Sequence, residues 1–239
     1  MKIFQSILKT LLVFVIFIVL FVVTMIITYF LTNLIVGDSY YFYEYDQFAY
    51  QMLAVLVLFP PLIIAVSIAT KFRLISSVRK LEKNEELIYF WNRLGKWKIL
   101  VCIVYFIIFL STICSVNVVY SDKIVTKSLF NIKGTEYLYD DVEVINCGFG
   151  NSNFSFYEYK QKGNFYYQVV IDGKTITFSQ PTPNTENNLF GDDTYLELEV
   201  FDTLLVSKGV QKKSSSDGVE NCSYEQEYID RFIRIIENK

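Results

Sequence analysis

Hydrophobic positions along this chain follow two regimes. Up to Tyr120 they run in long uncharged blocks; beyond it they alternate with polar residues at the periods of strands and amphipathic helices. The first block, Thr10 to Val36, is longer than the roughly 20 residues a helix needs to cross a hydrocarbon core. It also exceeds the apolar core of a signal peptide, about 7–15 residues, and its end, YFLTNLIVGD, offers no small-residue cleavage site. The second block, Met52 to Thr70, carries Pro60 and Pro61 at its centre. Two prolines would end a soluble helix, whereas in a span a neighbouring helix can satisfy the carbonyls they free. The third, Ile99 to Tyr120, has no charge, no Pro and no Gly. The pattern predicts an α-helical membrane region over 1–120 with three transmembrane helices, at about 10–36, 52–70 and 99–120.

Charge then gives these spans a direction. The connection between the first two, GDSYYFYEYDQFAYQ, contains no Lys or Arg. The connection between the second and third contains eight: Lys71, Arg73, Arg79, Lys80, Lys83, Arg93, Lys96 and Lys98. Lys2 and Lys9 precede the first span. Short loops rich in Lys and Arg stay in the cytoplasm, so the N-terminus is expected inside and everything after Tyr120 outside. Trp91 and Trp97 flank the start of the third span, and Tyr40, Tyr41, Phe42, Tyr43 and Tyr45 follow the first, where rings favour the headgroup level. Leu74, Val78, Leu81, Ile88 and Trp91 approximate one helical face, which would let the basic connection lie on the membrane surface.

The remaining residues, 121–239, carry 12 basic and 19 acidic side chains, a local charge of −7. Strand-like runs come first: KIVTKSLF, a turn at Lys133-Gly134, EYLYDDVEVINC, FSFYEYK, a QKGN turn, FYYQVVI, an Asp172-Gly173 hairpin signal and KTITFSQ. After PTPNTENN the period changes. Leu196, Val200, Phe201, Leu204 and Leu205 mark a helix from Thr194 to Lys208, with Asp193 as N-cap and Gly209 as C-cap. QKKSSSDG reads as a polar loop. Ser223 and Gln226 then suit a capping box, and Ile229, Phe232, Ile233 and Ile236 form the stripe of a terminal helix. The expected fold of 121–239 is a small α+β domain with an antiparallel sheet and two helices, able to form its own core.

The segment NIKGTEYLYDDVEVI, a Tyr-rich strand running into an acidic pair and an apolar position, resembles stretches of bacterial pleckstrin-homology-like domains. That resemblance implies strands closed by a terminal helix, and a cytoplasmic regulator as the alternative to an outer domain.

Candidate chemistry is sparse. The chain has no His, which removes the commonest general base and metal ligand. Asp140-Asp141 would point to opposite faces of a strand, and Asp192-Asp193 falls where a helix cap is expected, so both pairs read as structural. Ser77 and Lys80 match Ser-x-x-Lys without any accompanying motif. Cys147 and Cys222 both lie in the half expected outside and could pair there as a disulfide; Cys102 and Cys114 sit in the third span as small apolar fillers. With no charged residue inside a span, a transporter or channel acting alone is disfavoured. The reading is a non-enzymatic integral membrane protein without cofactor or metal. Its partners are the lipid bilayer and another protein or ligand met by the C-terminal domain, not nucleic acid.

Overall fold

A computed structural model describes residues 2–37, 39–71, 97–178 and 194–238. The basic connection, with Ser77, Lys80 and Trp91, and the segment holding Asp192 and Asp193 lie outside the described residues. The chain divides into two units, Met1–Ile35 with Tyr50–Ile113 and Val36–Ala49 with Cys114–Lys239.

Among the described residues, three helices build the first unit, α1 (Lys2–Val36), α2 (Gln47–Lys71) and α3 (Trp97–Cys114). Two stretches, Leu11–Val36 and Gln47–Ala65, are long and apolar enough to cross a membrane; the apolar part of α3, Ile99–Cys114, is shorter. Large apolar side chains face outward on all three, among them Val19, Ile26 and Phe30 of α1, Phe59 of α2 and Phe106 of α3. Leu56 and Val57 of α2 are buried against Phe109 and Ile113 of α3, with Phe21, Leu31 and Ile35 of α1 packed on them.

The prolines of α2 are accommodated by a specific contact. Pro60 has no N–H for the carbonyl four residues earlier, that of Leu56. The Tyr105 hydroxyl of α3 donates to the Leu56 carbonyl and replaces the missing bond. On α1, the hydroxyls of Thr24, Thr28 and Thr32 each donate to the carbonyl one turn back at 2.9 Å, so these polar groups are satisfied inside their own helix.

The expected third span is cut short. Its helix ends at Cys114, and Val116–Val119 forms a strand, β2. Three valines around Asn117 favour extended backbone, and ladder partners are present on both sides. On one side lies β1 (Phe42–Tyr45), from the connection between α1 and α2, antiparallel to β2 with Phe42 opposite Val119 and Tyr45 opposite Val116. Bonds from Tyr41 N to Val119 O and from Asp46 N to Ser115 O, 2.8 and 2.9 Å, extend the ladder at both ends. On the other side lies β3 (Lys123–Ser128), which pairs in turn with β4 (Asn131–Leu138). The four form one antiparallel sheet in the order β1-β2-β3-β4.

A second sheet holds β5 (Val142–Phe149), β6 (Phe165–Ile171), β7 (Lys174–Phe178) and β8 (Gln211–Ser214), in the order β7-β6-β5-β8. β6 and β7 match their sequence patterns and join through Asp172-Gly173, both at positive φ. β8 runs parallel to β5, where a polar loop was expected. Two helices complete the unit, α4 (Thr194–Ser207) and α5 (Gln226–Glu237).

Other expectations fail for physical reasons. Gly134 lies within β4 and the turn falls at Leu129-Phe130. FSFYEYK is a loop with one short helical turn, because no strand lies beside it to pair with. The buried face of α4 is Leu198, Phe201, Asp202 and Leu205, while Leu196 and Val200 are exposed. The capping box is absent: α5 starts after Glu225, with no side-chain cap bond. Finally, the core of this unit includes Phe42 and Val119, which the expected 121–239 domain would have left out.

That core is largely aromatic. Phe42 meets Phe178 and Phe201 edge-on at 5.4 and 5.9 Å, and Phe165 stacks on Phe232 of α5 at 4.3 Å. One polar knot is enclosed beside it. The Asp202 carboxylate accepts from Lys212 Nζ at 2.6 Å, Tyr167 Oη at 2.8 Å and Asn238 Nδ2 at 2.7 Å. Lys212 also donates to the Ile235 carbonyl. The two charged side chains are 2% and 1% exposed. Burial, with Asp202 beside it, pushes the Tyr167 phenol well above its ordinary pKa, so it remains a donor.

Removing one member of a buried pair strands the other charge, at a cost of about 3–5 kcal/mol. Asp202→Ala and Lys212→Met should each lower stability by that order in urea unfolding of the detergent-solubilised chain, and the double variant by less than the sum. Additive losses would show that the pair is not coupled. In the first unit, Tyr105→Phe should cost about 1 kcal/mol in SDS titration. The loss should shrink in a Pro60→Ala background, where the Leu56 carbonyl regains an N–H; an unchanged loss would separate the hydroxyl from the proline.

Candidate functional site

A cleft of about 470 Å³ in the second unit lies where β2, β3 and β7 meet the residues that start α2. One end of the β3–β4 ladder is irregular: Thr126 pairs with Thr135 and Ser128 with Asn131, so the single residue Lys127 of β3 faces three residues of β4. Thr126, Lys127 and Ser128 all line the cleft. Opposite the shift stands Gly134, at φ +88, where a Cβ would come within 2.3 Å of Val125 Cγ1. Only glycine fits there, and the same Cβ would come within 3.1 Å of Lys127 Cγ, so Lys127 leaves β3 on the face that carries Val125.

Thr175 and Thr177 of β7 belong to a second wall, and the Thr177 hydroxyl accepts from Gln168 Nε2 at 3.0 Å. Lys174, at the start of the same strand, places Nζ 3.5 Å from Thr126 Oγ1 and 5.8 Å from the centre of the Tyr137 ring. Lys127 Nζ donates to the Val36 carbonyl at 3.2 Å, and Tyr120 Oη donates to the same oxygen at 2.9 Å. Val36 is the last residue of α1, so the ammonium sits at the negative end of a helix dipole. Burial pushes the Lys127 pKa down, because desolvation penalises its charged form.

The third wall starts α2. Asp46 caps the helix, its Oδ1 accepting from Phe48 N at 3.1 Å. Beside it, both polar atoms of the Gln47 amide are buried and make no hydrogen bond. Asp46 is the one carboxylate on the cleft wall among the described residues, and the cap engages it. The lining includes two lysines, Lys127 engaged at the Val36 carbonyl and Lys174 at Thr126, and one amide without a hydrogen bond. Nothing in it resembles a nucleophile paired with a base. Among the described residues no group of three or more His, Cys, Asp or Glu is placed to hold a metal ion.

The residues singled out in the sequence lie elsewhere. Asp140 pairs with Lys208 at 2.6 Å, and Asp141 Oδ2 accepts from Leu138 N at 3.3 Å, so the neighbours serve separate structural contacts. Cys147 is buried in the core and Cys222 packs half-buried against it; both are free thiols, so the expected bridge is not formed in the structure. Sequence reasoning missed Gln47, Lys127 and Lys174. They come from three distant segments that no local pattern in the sequence links.

Comparison of the chain with protein-family models, curated proteins and solved structures gives no match.

Exposure orders the thiols. In the folded chain a maleimide should label Cys222 faster than Cys147, which should react only on unfolding. Mass spectrometry of unreduced, denatured protein should find both thiols alkylated; if neither reacts until a reductant is added, the two are bonded.

Proposed function

We propose that this chain is a non-enzymatic integral membrane protein that crosses the bilayer three times. The N-terminus is cytoplasmic, and the unit formed by 36–49 and 114–239 lies outside the cell membrane. There it binds a partner or ligand in an accessory, sensor or immunity-type role. The observation that carries the reading is the β1–β2 ladder. β1 belongs to the connection between α1 and α2, and β2 directly follows α3, so both must lie on one side of the bilayer. If α2 crosses away from that side, the chain has only residues 72–114 in which to return, and α3 is the helix available for it. Its 18 residues extend about 27 Å at 1.5 Å each, close to the hydrocarbon thickness.

The same ladder ties orientation to charge. The connection that supplies β1 has no Lys or Arg, the one after α2 is strongly basic, and basic loops remain inside. The outward apolar surfaces of α1, α2 and α3 suit lipid as their solvent. A polar cleft without catalytic groups favours binding over chemistry. A second reading, a cytoplasmic pleckstrin-homology-like regulator, draws support from the two sheets followed by the amphipathic helix α5.

Reporter fusions separate the two. Alkaline phosphatase joined after Lys239, or inserted at Ser39, should be active, and a cytoplasmic fluorescent reporter at the same points should be dark. The opposite result at both points would reverse the orientation and favour the regulator. Opposite results at the two points would break the shared side that the ladder requires.

A further inference from the structure

We propose that two exposed aromatic tips of the second unit dip into the adjoining lipid leaflet: Phe130 of the β3–β4 hairpin, and Phe154 with Phe156 of the loop after β5. This adds a lipid-contacting rim to the membrane reading above and rests on that reading for the presence of a bilayer. Three observations, one for each of α1, α2 and α3, set the level of the tips. Lys127, just before the hairpin tip, donates to the carbonyl of Val36, where the apolar stretch of α1 ends. The β2–β3 register pairs Val119 with Ile124, Val118 with Val125 and Asn117 with Thr126. Continued toward the helix, it brings Cys114, the last residue of α3, level with Leu129. Phe156 places its ring 6.3 Å from that of Phe48, in the first turn of α2, whose apolar stretch starts at Gln47. Val36, Phe48 and Cys114 all belong to the second unit. The hairpin therefore turns at the height where α1 and α3 end, and the loop lies at the height where α2 begins. For helices that cross a bilayer, that height is the headgroup boundary.

The composition of the tips suits this boundary. Phe130 is 96% exposed and Phe154 93%, more than any other large apolar side chain among the described residues, the outward faces of the helices included. Such rings are unfavourable in water and favourable among acyl chains. Both tips are braced. The Asn131 carboxamide accepts from Gly134 N at 3.1 Å beside Phe130, and Ser152 Oγ donates to the Phe154 carbonyl at 2.8 Å. Lysines flank the rings: the hairpin segment KSLFNIK runs from Lys127 to Lys133 with no acidic residue, and the loop continues into Lys160 and Lys162, with Glu158 its one carboxylate. Long basic side chains beside apolar rings keep their ammonium groups among phosphates while the rings enter the acyl region. The far end of β4 differs. Leu138 is also exposed there, 52%, but its neighbours in sequence include Glu136, Asp140 and Asp141.

The test places single tryptophans in a full chain whose Trp91 and Trp97 are changed to Phe, reconstituted in phosphatidylcholine vesicles with bromine near the top of the acyl chains. Phe130→Trp and Phe154→Trp sit at open positions and should keep the unfolding midpoint. Each should lose emission about twofold or more relative to unbrominated vesicles, as a ring at acyl-chain depth does. Phe106→Trp, midway along α3, should be quenched as the reference for a span, and Leu138→Trp should keep its emission. Unquenched tips beside a quenched Phe106→Trp would overturn the rim and leave the spans standing; if Phe106→Trp is unquenched as well, the membrane reading falls with it. Equal quenching at Leu138→Trp would overturn the rim in favour of a domain lying flat on lipid. Tips shielded from both bromine and aqueous acrylamide would assign them to a protein partner, a second copy included, and overturn lipid contact. Quenching reads depth and not side, so a reversed orientation in the fusion experiment would leave this result standing.

Discussion

Four residue pairs between Phe42–Tyr45 and Val116–Val119 hold this molecule's organisation together. The ladder closes one end of the first sheet and seats Phe42 against Phe178 and Phe201 in the aromatic core. It also brings Asp46 and Gln47 to the wall of the cleft, opposite residues that the sequence places far away. Without it, β2 would be an edge strand with open backbone groups, and the connection between α1 and α2 would have no fixed place. Two elements that look unrelated in sequence therefore share one sheet, one core and one site.

The second half is organised by a different kind of interaction. Asp202, from α4, gathers Tyr167 of β6, Lys212 of β8 and Asn238 at the end of α5 around one carboxylate. A buried ion pair seldom adds stability over apolar packing, since desolvation offsets most of the attraction. Its effect here is selective. An apolar residue at 212 would satisfy neither Asp202 nor the Ile235 carbonyl, so beyond its ladder with β5, β8 is held in place by a buried cationic donor.

Legibility in the sequence follows the same division. The helices α1 and α2, the strands β6 and β7 with their Asp-Gly turn, and α4 and α5 could be read because each declares itself locally, through long apolar runs, alternation or helical period. Elements defined by distant partners could not. β2 reads as the continuation of an apolar helix until β1 and β3 are placed on either side of it. β8 reads as a polar loop because its inward residue is Lys212, whose countercharge lies on another helix. FSFYEYK shows a strand's alternation but lacks a neighbour, and its rings remain on the surface. The cleft was invisible for a related reason, since the segments that line it come together only after both sheets exist.

The placement of β1 also constrains how the protein is made. Synthesis proceeds from the N-terminus, so Phe42–Tyr45 leaves the ribosome well before Val116–Val119 exists to pair with it. In the interval the strand has no ladder, and Phe42 has no core to enter. The sheet can close only when the chain beyond Cys114 has been made. Closure of this sheet thus waits on the synthesis of α2 and α3, an order imposed by connectivity. Any factor that guards the nascent chain would have to shield an aromatic strand tethered between two helices until its partner arrives.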